Sequence, residues 1–196
     1  MSASGELAHP DLAIRFLPAA IDVALADQWL TILTTELAWT QQPITLFGKQ
    51  VMQPRLTAWY GEPGITYRYS GLTLTAQPWT ATLTTIRQTV EMLSGARFNS
   101  VLCNYYRDGS DSMGWHADDE PELGPEPVIA SLSLGASRRF VFRRRDNHRQ
   151  RQVMELSHGS LLMMTGTTQR RWQHALPKTQ RVSGPRINLT FRTIFD

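Results

Sequence analysis

Two histidines and an aspartate in the second half of the chain have the spacing of metal ligands. His116 and Asp118 are two residues apart, and His174 lies well downstream. Alternate side chains of an extended segment point the same way, so His116 and Asp118 can bind one ion while Ala117 faces away. Two imidazoles and one carboxylate can hold one side of a non-haem Fe(II) and leave the other side open for reaction. A His-x-Asp pair alone is weak evidence, because it occurs often by chance.

The segment Arg186–Arg192 strengthens the prediction of an oxidative metal centre. Its polar residues are Arg186, Asn188, Thr190 and Arg192, and they alternate with apolar residues. A strand here would therefore have one polar and one apolar face. In another predicted strand, Asn104 and Tyr106 likewise share one face. Buried arginines without partners are costly, and a dicarboxylate co-substrate beside the metal would satisfy them. The alternative is an exterior polar face on an edge strand.

The bulk composition is that of an ordinary globular protein. The chain has 196 residues, 41% of them hydrophobic and 19% charged, which is enough for one domain with a core. Its apolar runs are far shorter than the roughly 18 residues that span a bilayer, and residues 1–10 lack the features of a secretory signal. Cys103 is the only cysteine, so no intrachain disulfide can form, which fits a reducing cytoplasm. We expect a monomer without a membrane partner.

Positive charge is concentrated between residues 138 and 151. Asp146 is the only acid in this segment. The arginines are Arg138, Arg139, Arg143, Arg144, Arg145, Arg149 and Arg151. Guanidinium groups suit phosphate oxygens, so the segment predicts contact with nucleic acid. The alternative is a solvated hairpin that happens to be basic.

The elements expected around these residues are two helices followed by many short strands. A short strand is expected near Ala13–Leu17, and Asp22 can cap a helix. That helix would bury Leu25, Trp29, Leu33 and Leu37. A second helix should start near Pro78–Trp79 and end at Gly95. The predicted later strands are Val101–Tyr106, Ile129–Leu134, Arg139–Arg144, Gln152–Leu156, Ser160–Met164, His174–Leu176 and Ile187–Thr193. This order predicts a mostly β protein with flanking helices, a jelly roll with the N-terminal helices packed on one sheet.

Several segments together resemble the AlkB family of Fe(II)/2-oxoglutarate dioxygenases, and most of all its animal homologues two and three. The segments are Asn104–Tyr106, Trp115–Glu120, Ile129–Gly135, His158–Met164 and Arg186–Arg192. The resemblance runs from about Phe47 to Arg192 and implies a double-stranded β-helix, the jelly-roll form of this family. It implies that His116, Asp118 and His174 bind iron. It also implies that 2-oxoglutarate is held by Arg186 and Arg192 with Asn104, Tyr106, Asn188 and Thr190. The residues around Gly166–Trp172 differ from the pattern of the AlkB homologue.

The activity that this resemblance implies is the oxidative demethylation of nucleobases in DNA. The cofactor and co-substrates would be Fe(II), 2-oxoglutarate and O2. The substrates would be N1-methyladenine and N3-methylcytosine, and the products succinate, CO2, formaldehyde and the restored base. Residues 1–196 would form a single dioxygenase domain with residues 40–75 as a nucleotide-recognition lid. It would act on duplex and single-stranded DNA, in the cytoplasm at the nucleoid of a bacterium or in the nucleus of a eukaryote. The rival interpretations are a dioxygenase for RNA, lipid or protein, and a nucleic-acid binder with a vestigial site.

The resemblance also implies where a flipped base is held. Tyr67 and Tyr69 would form one wall of the base pocket and His116 the opposite side, since flipped bases are held between aromatic or apolar groups. Cross-strand core packing is the alternative for the two tyrosines. Asp119 and Glu120 follow the metal aspartate and could accept from an exocyclic amine or favour a cationic methylated base. The alternative is that one of them braces a nearby arginine.

The expected DNA contacts lie in two regions. Phe47, Gly48 and Lys49 match an intercalating finger of the duplex-acting homologue, and an aromatic wedge can fill the gap that a flipped base leaves. Without the resemblance, Phe47 would be taken for a core residue. The remaining expected contacts with DNA are Arg55, Arg143, Arg144 and Arg145. Such phosphate contacts make binding steeply dependent on salt and carry little sequence information.

Overall fold

The computed structural model describes residues 9–46, 48–69, 72–182 and 184–195, and for 45–46, 67–69 and 72–74 it describes the backbone alone. The helices are α1 (Val23–Glu36), α2 (Ala81–Ser94) and α3 (Thr168–Arg171), with a 3-10 turn at Pro121–Leu123. The first strands are β1 (Ala13–Leu17), β2 (Pro43–Leu46), β3 (Lys49–Met52), β4 (Leu56–Gly61), β5 (Thr66–Tyr69), β6 (Leu72–Thr75) and β7 (Gln77–Pro78). The later strands are β8 (Ser100–Tyr106), β9 (Met113–His116), β10 (Ile129–Gly135), β11 (Arg138–Arg144), β12 (Arg151–Leu156), β13 (Ser160–Thr165), β14 (Trp172–Leu176) and β15 (Arg186–Arg192).

Two sheets carry the site between them. The major sheet has the order β1-β13-β10-β15-β8-β4-β7, and the minor sheet has the order β12-β11-β14-β9. All pairs are antiparallel except β4 with β7. The expected mostly β double sheet is confirmed. Strand β15 lies in the middle of the major sheet, so the exterior edge-strand alternative for Arg186–Arg192 is wrong.

The predicted lid, residues 40–75, contains two hairpins separated by a strand of the major sheet. β2 pairs with β3, and β5 pairs with β6. Between them, β4 pairs with β8 over six residues, from Leu56 to Gly61. The hairpins are therefore attached directly to the sheet that forms one wall of the site.

The helices pack on the outer face of the major sheet. The core there combines helix residues such as Trp29 and Leu83 with Ile187, Leu189 and Phe191 of β15, all buried. β15 thus turns its apolar face to the helices, as its alternation predicts, and leaves its polar face for the space between the sheets. Within the described ranges, no helix is both long enough and apolar enough to cross a bilayer.

Two helix predictions need correction. Asp22 does cap α1, and its Oδ1 accepts from the backbone N–H of Ala24 at 3.0 Å. Leu25, expected in the buried stripe, is 38% exposed, because a strict four-residue repeat drifts around a helix of 3.6 residues per turn. The second helix begins at Ala81, not at Pro78–Trp79: residues 77–78 form β7, and Thr80 Oγ1 accepts from the N–H of Leu83.

Candidate active site

The structure brings His116, Asp118 and His174 together, although two of them are distant from the third in sequence. His116 ends β9 and lies directly opposite His174 of the neighbouring strand β14. Asp118 follows two residues after His116 and is buried. One ligand atom from each side chain lies within 4.8 Å of the other two. Such a group, with two imidazoles and one carboxylate, fits the facial coordination of Fe(II).

The protonation of the two imidazoles also fits metal binding. Nδ1 of His116 lies 2.9 Å from the carbonyl oxygen of Gly114, which holds the proton on Nδ1 and leaves Nε2 free as a ligand. Burial, together with the neighbouring His116, lowers the pKa of His174 to about 3. His174 is therefore neutral at physiological pH, which is the form that binds metals. Its Nε2 lies 3.6 Å from Oδ2 of Asp118.

The carboxylate of Asp118 is held ionised by a cation on β15. Burial alone would raise the pKa of Asp118, but Arg192 beside it lowers that pKa below its ordinary value. Nη2 of Arg192 donates to Oδ1 of Asp118. The backbone N–H of Asp118 donates to Oε1 of Gln169 at 3.0 Å, and both residues are buried. Gln169 lies on α3, five residues before His174, so it ties the two metal-binding segments together.

A narrow cavity next to these three residues is lined by the polar face of β15. Its other polar wall residues come from β8 and β10. The polar residues from these three strands are Asn104, Tyr106, Ser131, Arg186, Asn188, Thr190 and Arg192. Arg186 is 2% exposed and donates to Ser133 Oγ at 3.0 Å, while its Nε has no partner within the described residues. The six residues expected to hold 2-oxoglutarate therefore face one space beside the metal group.

Two guanidinium groups lie near the ring of Tyr106. The Cζ atom of Arg186 is 5.3 Å from the ring centre, and that of Arg138 is 5.8 Å away. Burial lowers the pKa of Arg186 to about 10, and Arg138 contributes to this shift. Among the described residues, no carboxylate forms an ion pair with Arg186. A buried cation in this condition favours an anionic ligand, and the far carboxylate of a keto acid fits it.

A second, larger cavity of about 170 Å³ adjoins the metal group. It shares Leu102, Met113, His116, Asp118 and Arg192 with the narrow cavity. Its other walls are Gln42, Gln53, Arg55, Thr57, Trp59, Ser100, Ala117, Glu120, Leu123 and Ile194. A molecule in this cavity would reach His116 and Asp118, two of the three metal-binding side chains that line the narrow cavity.

Asp119 and Glu120, predicted together, have different surroundings. Asp119 is exposed and forms an ion pair with Arg145, so it braces an arginine as the alternative interpretation states. Glu120 lines the larger cavity, and its Oε2 is buried without a partner in the described part of the chain. Of the two acids, only Glu120 lines the larger cavity.

The lid residues expected at the base and in the DNA are only partly described. Phe47 and the side chains of Tyr67 and Tyr69 lie outside the described residues. The backbone of both tyrosines belongs to β5. Gly48 adopts a φ of 76° in the turn between β2 and β3, and Lys49 after it is exposed. The predictions on these residues stay predictions.

The arginines expected at DNA are not equivalent. Arg55 is 6% exposed and donates from Nε to Oδ1 of Asn104 at 2.8 Å, so it lines the larger cavity and does not lie on the outer surface. Arg144 forms ion pairs with Asp11 and Asp146. Arg143 donates to Gln173 and stacks on Trp115 at 4.2 Å.

Arg138 does not belong to an exposed basic surface. It is 1% exposed and donates to the carbonyl oxygens of Asp108, Asp111 and Pro177. Its inclusion in the phosphate-binding segment was wrong, because these carbonyls come from two remote loops that a count of charges along the chain does not show.

Two buried glutamines at the site were not identified from the sequence. Gln169 holds the backbone of Asp118, and Gln53 lines the larger cavity at 3% exposure. Neither belongs to a recognisable motif, and a lone glutamine is usually exposed. The one available signal was that Gln169 lies five residues before the predicted ligand His174.

Comparisons with known proteins agree with this geometry. Residues 13–192 match the family described as the 2OG-Fe(II) oxygenase superfamily. The chain is 43% identical over 187 residues to alpha-ketoglutarate-dependent dioxygenase alkB homolog 3 of Homo sapiens, covering 91% of this chain and 65% of that protein. It is 49% identical over 158 residues to DNA oxidative demethylase ALKBH2 of Mus musculus, covering 77% of this chain and 66% of that protein. These identities confirm the resemblance to the AlkB family.

The chain thus spans about two thirds of the length of these relatives. The solved structure of OsALKBH1 superposes with a TM-score of 0.65 at 16% identity, covering 96% of this chain and 99% of that one, which supports the fold. Membership of the family implies Fe(II), 2-oxoglutarate and O2, and the three converging ligands fit the iron. From this match over residues 13–192 and the site it contains, the chain belongs to the 2OG-Fe(II) oxygenase superfamily.

Proposed function

We propose that this chain removes methyl groups from N1-methyladenine and N3-methylcytosine in DNA by oxidation with Fe(II), 2-oxoglutarate and O2. The observation that carries the proposal is the pair of cavities that share His116, Asp118 and Arg192. One cavity has the charge for a keto acid, and the other has room and polar walls for a base. The relatives ALKBH2 and alkB homolog 3, by their names a DNA oxidative demethylase and a dioxygenase, support this assignment.

On the co-substrate side, the residues of β15 and β8 bind and orient. Arg186, which has no carboxylate partner in the described parts of the chain, would hold the far carboxylate of 2-oxoglutarate beside the ring of Tyr106. Asn188 is fixed by its own donation to Ser131 Oγ at 2.8 Å, and it accepts from Thr190 at 3.0 Å. These bonds keep the polar face of β15 in one arrangement before the ligand arrives, which reduces the cost of ordering on binding.

At the metal, the protein holds the ligands and keeps water away from them. His116, Asp118 and His174 would bind iron, and Arg192 keeps Asp118 ionised in a buried place. When bound, Fe(II) with 2-oxoglutarate and O2 supplies the oxidation that hydroxylates the N-methyl group, which then leaves as formaldehyde while the keto acid becomes succinate and CO2. Phe140 is 9% exposed, lines the narrow cavity and packs its ring 5.3 Å from that of His174, which excludes solvent from this side.

A base can enter the larger cavity only after it has flipped out of the duplex. Flipping costs a few kcal/mol, and less for a damaged base that pairs poorly. The carboxylate of Glu120 favours a base made cationic by N-methylation, because opposite charges attract strongly where water is excluded. Tyr67 and Tyr69 would complete this pocket from the lid.

The DNA backbone would lie against the minor sheet. Arg143 and Arg151 are directly opposite each other on β11 and β12. Neither forms an ion pair with a described carboxylate, whereas Arg144 forms two. Arg143 is therefore a better candidate than Arg144 for phosphate contact. The partner is DNA, both duplex and single-stranded, and the location is the nucleoid of a bacterial cell or the nucleus of a eukaryotic one.

The test is mass spectrometry of methylated oligonucleotides after incubation with Fe(II) and 2-oxoglutarate, with succinate measured in parallel. Asp118→Ala should lose turnover on N1-methyladenine and N3-methylcytosine, since it removes one of three metal ligands. Glu155→Ala, an exposed carboxylate on β12, should react like the unaltered protein. Parallel RNA oligonucleotides separate the DNA proposal from an RNA oxygenase. Substantial iron-dependent demethylation by Asp118→Ala would contradict the ligand assignment.

A further inference from the structure

Gln53 is a buried polar side chain on the wall of the larger cavity that the proposed reaction leaves without a role. It lies between β3 and β4, and its main chain is held at both ends. Its backbone N–H donates to the carbonyl of Gln42 at 2.9 Å, and its own carbonyl accepts from Nε2 of Gln41 at 2.8 Å. The residue is 3% exposed, so its position is set by the protein and not by solvent.

The side-chain oxygen of Gln53 is left without a hydrogen-bond partner by the residues that the structure describes. Oε1 is buried and forms no hydrogen bond within the described residues. A buried acceptor without a donor is costly, and native structures rarely keep one without a reason. Because Gln53 lines the cavity next to His116 and Asp118, the missing donor can come from a molecule bound there.

Glu120 presents a second acceptor of the same kind to the same cavity. Its Oε2 is buried and unpartnered in the described chain, and it reaches the cavity from the segment that follows Asp118. Gln53 and Glu120 come from two segments that are far apart in the sequence. The cavity therefore has two buried acceptors from independent segments and needs a ligand with at least two donors.

We propose that Gln53 is a specificity-determining residue that, together with Glu120, accepts the two N–H groups of the exocyclic amine of the flipped base. This inference rests on the proposed function and adds which group of the base the protein recognises. An amine at that position satisfies both acceptors at once. A carbonyl oxygen at the same position leaves the carboxylate of Glu120 unsatisfied and repels it, even if the amide of Gln53 turns over to donate.

The test uses two lesions that differ at the atom in question. N3-methylcytosine carries an amine at ring position 4 and N3-methyluracil a carbonyl, and both are placed in the same oligonucleotide. For Gln53→Leu, kcat/KM on N3-methylcytosine should fall about tenfold, and on N3-methyluracil less than threefold. The substitution keeps the charge of the cavity, so the loss reports hydrogen bonding and not attraction to a cationic base.

Gln42→Leu is the matched control. Gln42 lines the same cavity, but its Nε2 already donates to Oγ1 of Thr40 at 2.9 Å. The ratio of kcat/KM between the two lesions should be unchanged in this variant. Fluorescence anisotropy of the same oligonucleotides with metal-free protein measures binding without turnover. In this assay, Gln53→Leu should lower the ratio of the affinity for N3-methylcytosine to that for N3-methyluracil.

The outcomes separate the two proposals. If the unaltered protein demethylates N3-methylcytosine and Gln53→Leu lowers kcat/KM equally for both lesions, or for neither, the role of Gln53 is refuted and the proposed function stands. If the unaltered protein demethylates nothing, the proposed function fails, and the anisotropy ratio alone decides the role of Gln53. Thermal stability no lower than that of the unaltered protein, with unchanged Co(II) affinity, shows for each leucine variant that the fold and the metal site are intact.

Discussion

Replacing Arg186 by methionine should abolish co-substrate binding without weakening the fold. Burial lowers the pKa of Arg186 to about 10, and this shift corresponds to about 3 kcal/mol of unfavourable free energy for the charged form in the folded protein. Methionine removes that penalty but leaves Ser133 Oγ without its donor, which costs about 1–2 kcal/mol. The free energy of unfolding of Arg186→Met should therefore stay constant or rise by about 1–2 kcal/mol.

Arg138→Met is the matched control, since Arg138 lies near the same Tyr106 ring and is as deeply buried. Arg138 donates to three backbone carbonyls at 2.8–3.0 Å, so its loss leaves buried acceptors unpaired. The free energy of unfolding should fall by about 3–5 kcal/mol. Of two arginines near the same ring, only Arg138 is thus expected to lower the free energy of unfolding when it is replaced by methionine.

The assay is urea unfolding without ligands, followed by thermal unfolding with Mn(II) and increasing 2-oxoglutarate. A keto acid at a hundredfold excess over its Kd should stabilise the unaltered protein by about 3 kcal/mol, and Arg186→Met should show no such shift. A loss of more than 2 kcal/mol in ligand-free Arg186→Met would refute the reasoning, because it would mean that the charge of Arg186 is compensated within the protein. A normal 2-oxoglutarate shift in that variant would refute its assignment to the keto acid.

Two further predictions concern groups near the site. Gln169→Leu should weaken Co(II) binding about 10–100-fold, because the backbone N–H of Asp118 loses its acceptor; unchanged affinity by titration calorimetry would remove Gln169 as a positioning residue. Asp111→Asn should lower the free energy of unfolding more at pH 7 than at pH 3. Burial alone would raise the pKa of Asp111, but hydrogen bonds from Arg107 lower it, so its contribution is present above the ordinary carboxyl pKa and is lost as pH falls through the folded one. Urea unfolding at both pH values checks this, and an equal deficit at pH 3 would contradict it.

Much of the site was predictable because its signals are local. The alternation along Arg186–Arg192 depends only on the two-residue period of a strand, and it placed four polar side chains on the correct face. The spacing of His116 and Asp118 is local in the same sense. The convergence of His174 was predicted from the resemblance and from ligand chemistry, since nothing in the spacing between distant residues shows that β9 and β14 are neighbours.

The parts that could not be predicted depend on contacts between remote segments. Arg138 and Arg143 look alike in a run of arginines, but Arg138 donates to loop carbonyls inside the protein and Arg143 stacks on the half-buried Trp115. The role of Gln169 likewise depends on a backbone N–H supplied by another element. The start of α2 was misplaced because Pro78 pairs at the edge of the major sheet instead of opening the helix.

The central position of β15 has a consequence for biosynthesis. Strands β8 and β10 are joined in the sheet only through β15, which the ribosome makes after every other strand of that sheet. Until it emerges, the nascent chain exposes two unpaired strand edges, which are templates for aggregation. Insertion of β15 joins the two parts of the sheet and brings in Arg186 in the same event, so a nascent chain that lacks this strand also lacks the residue proposed to hold the keto acid.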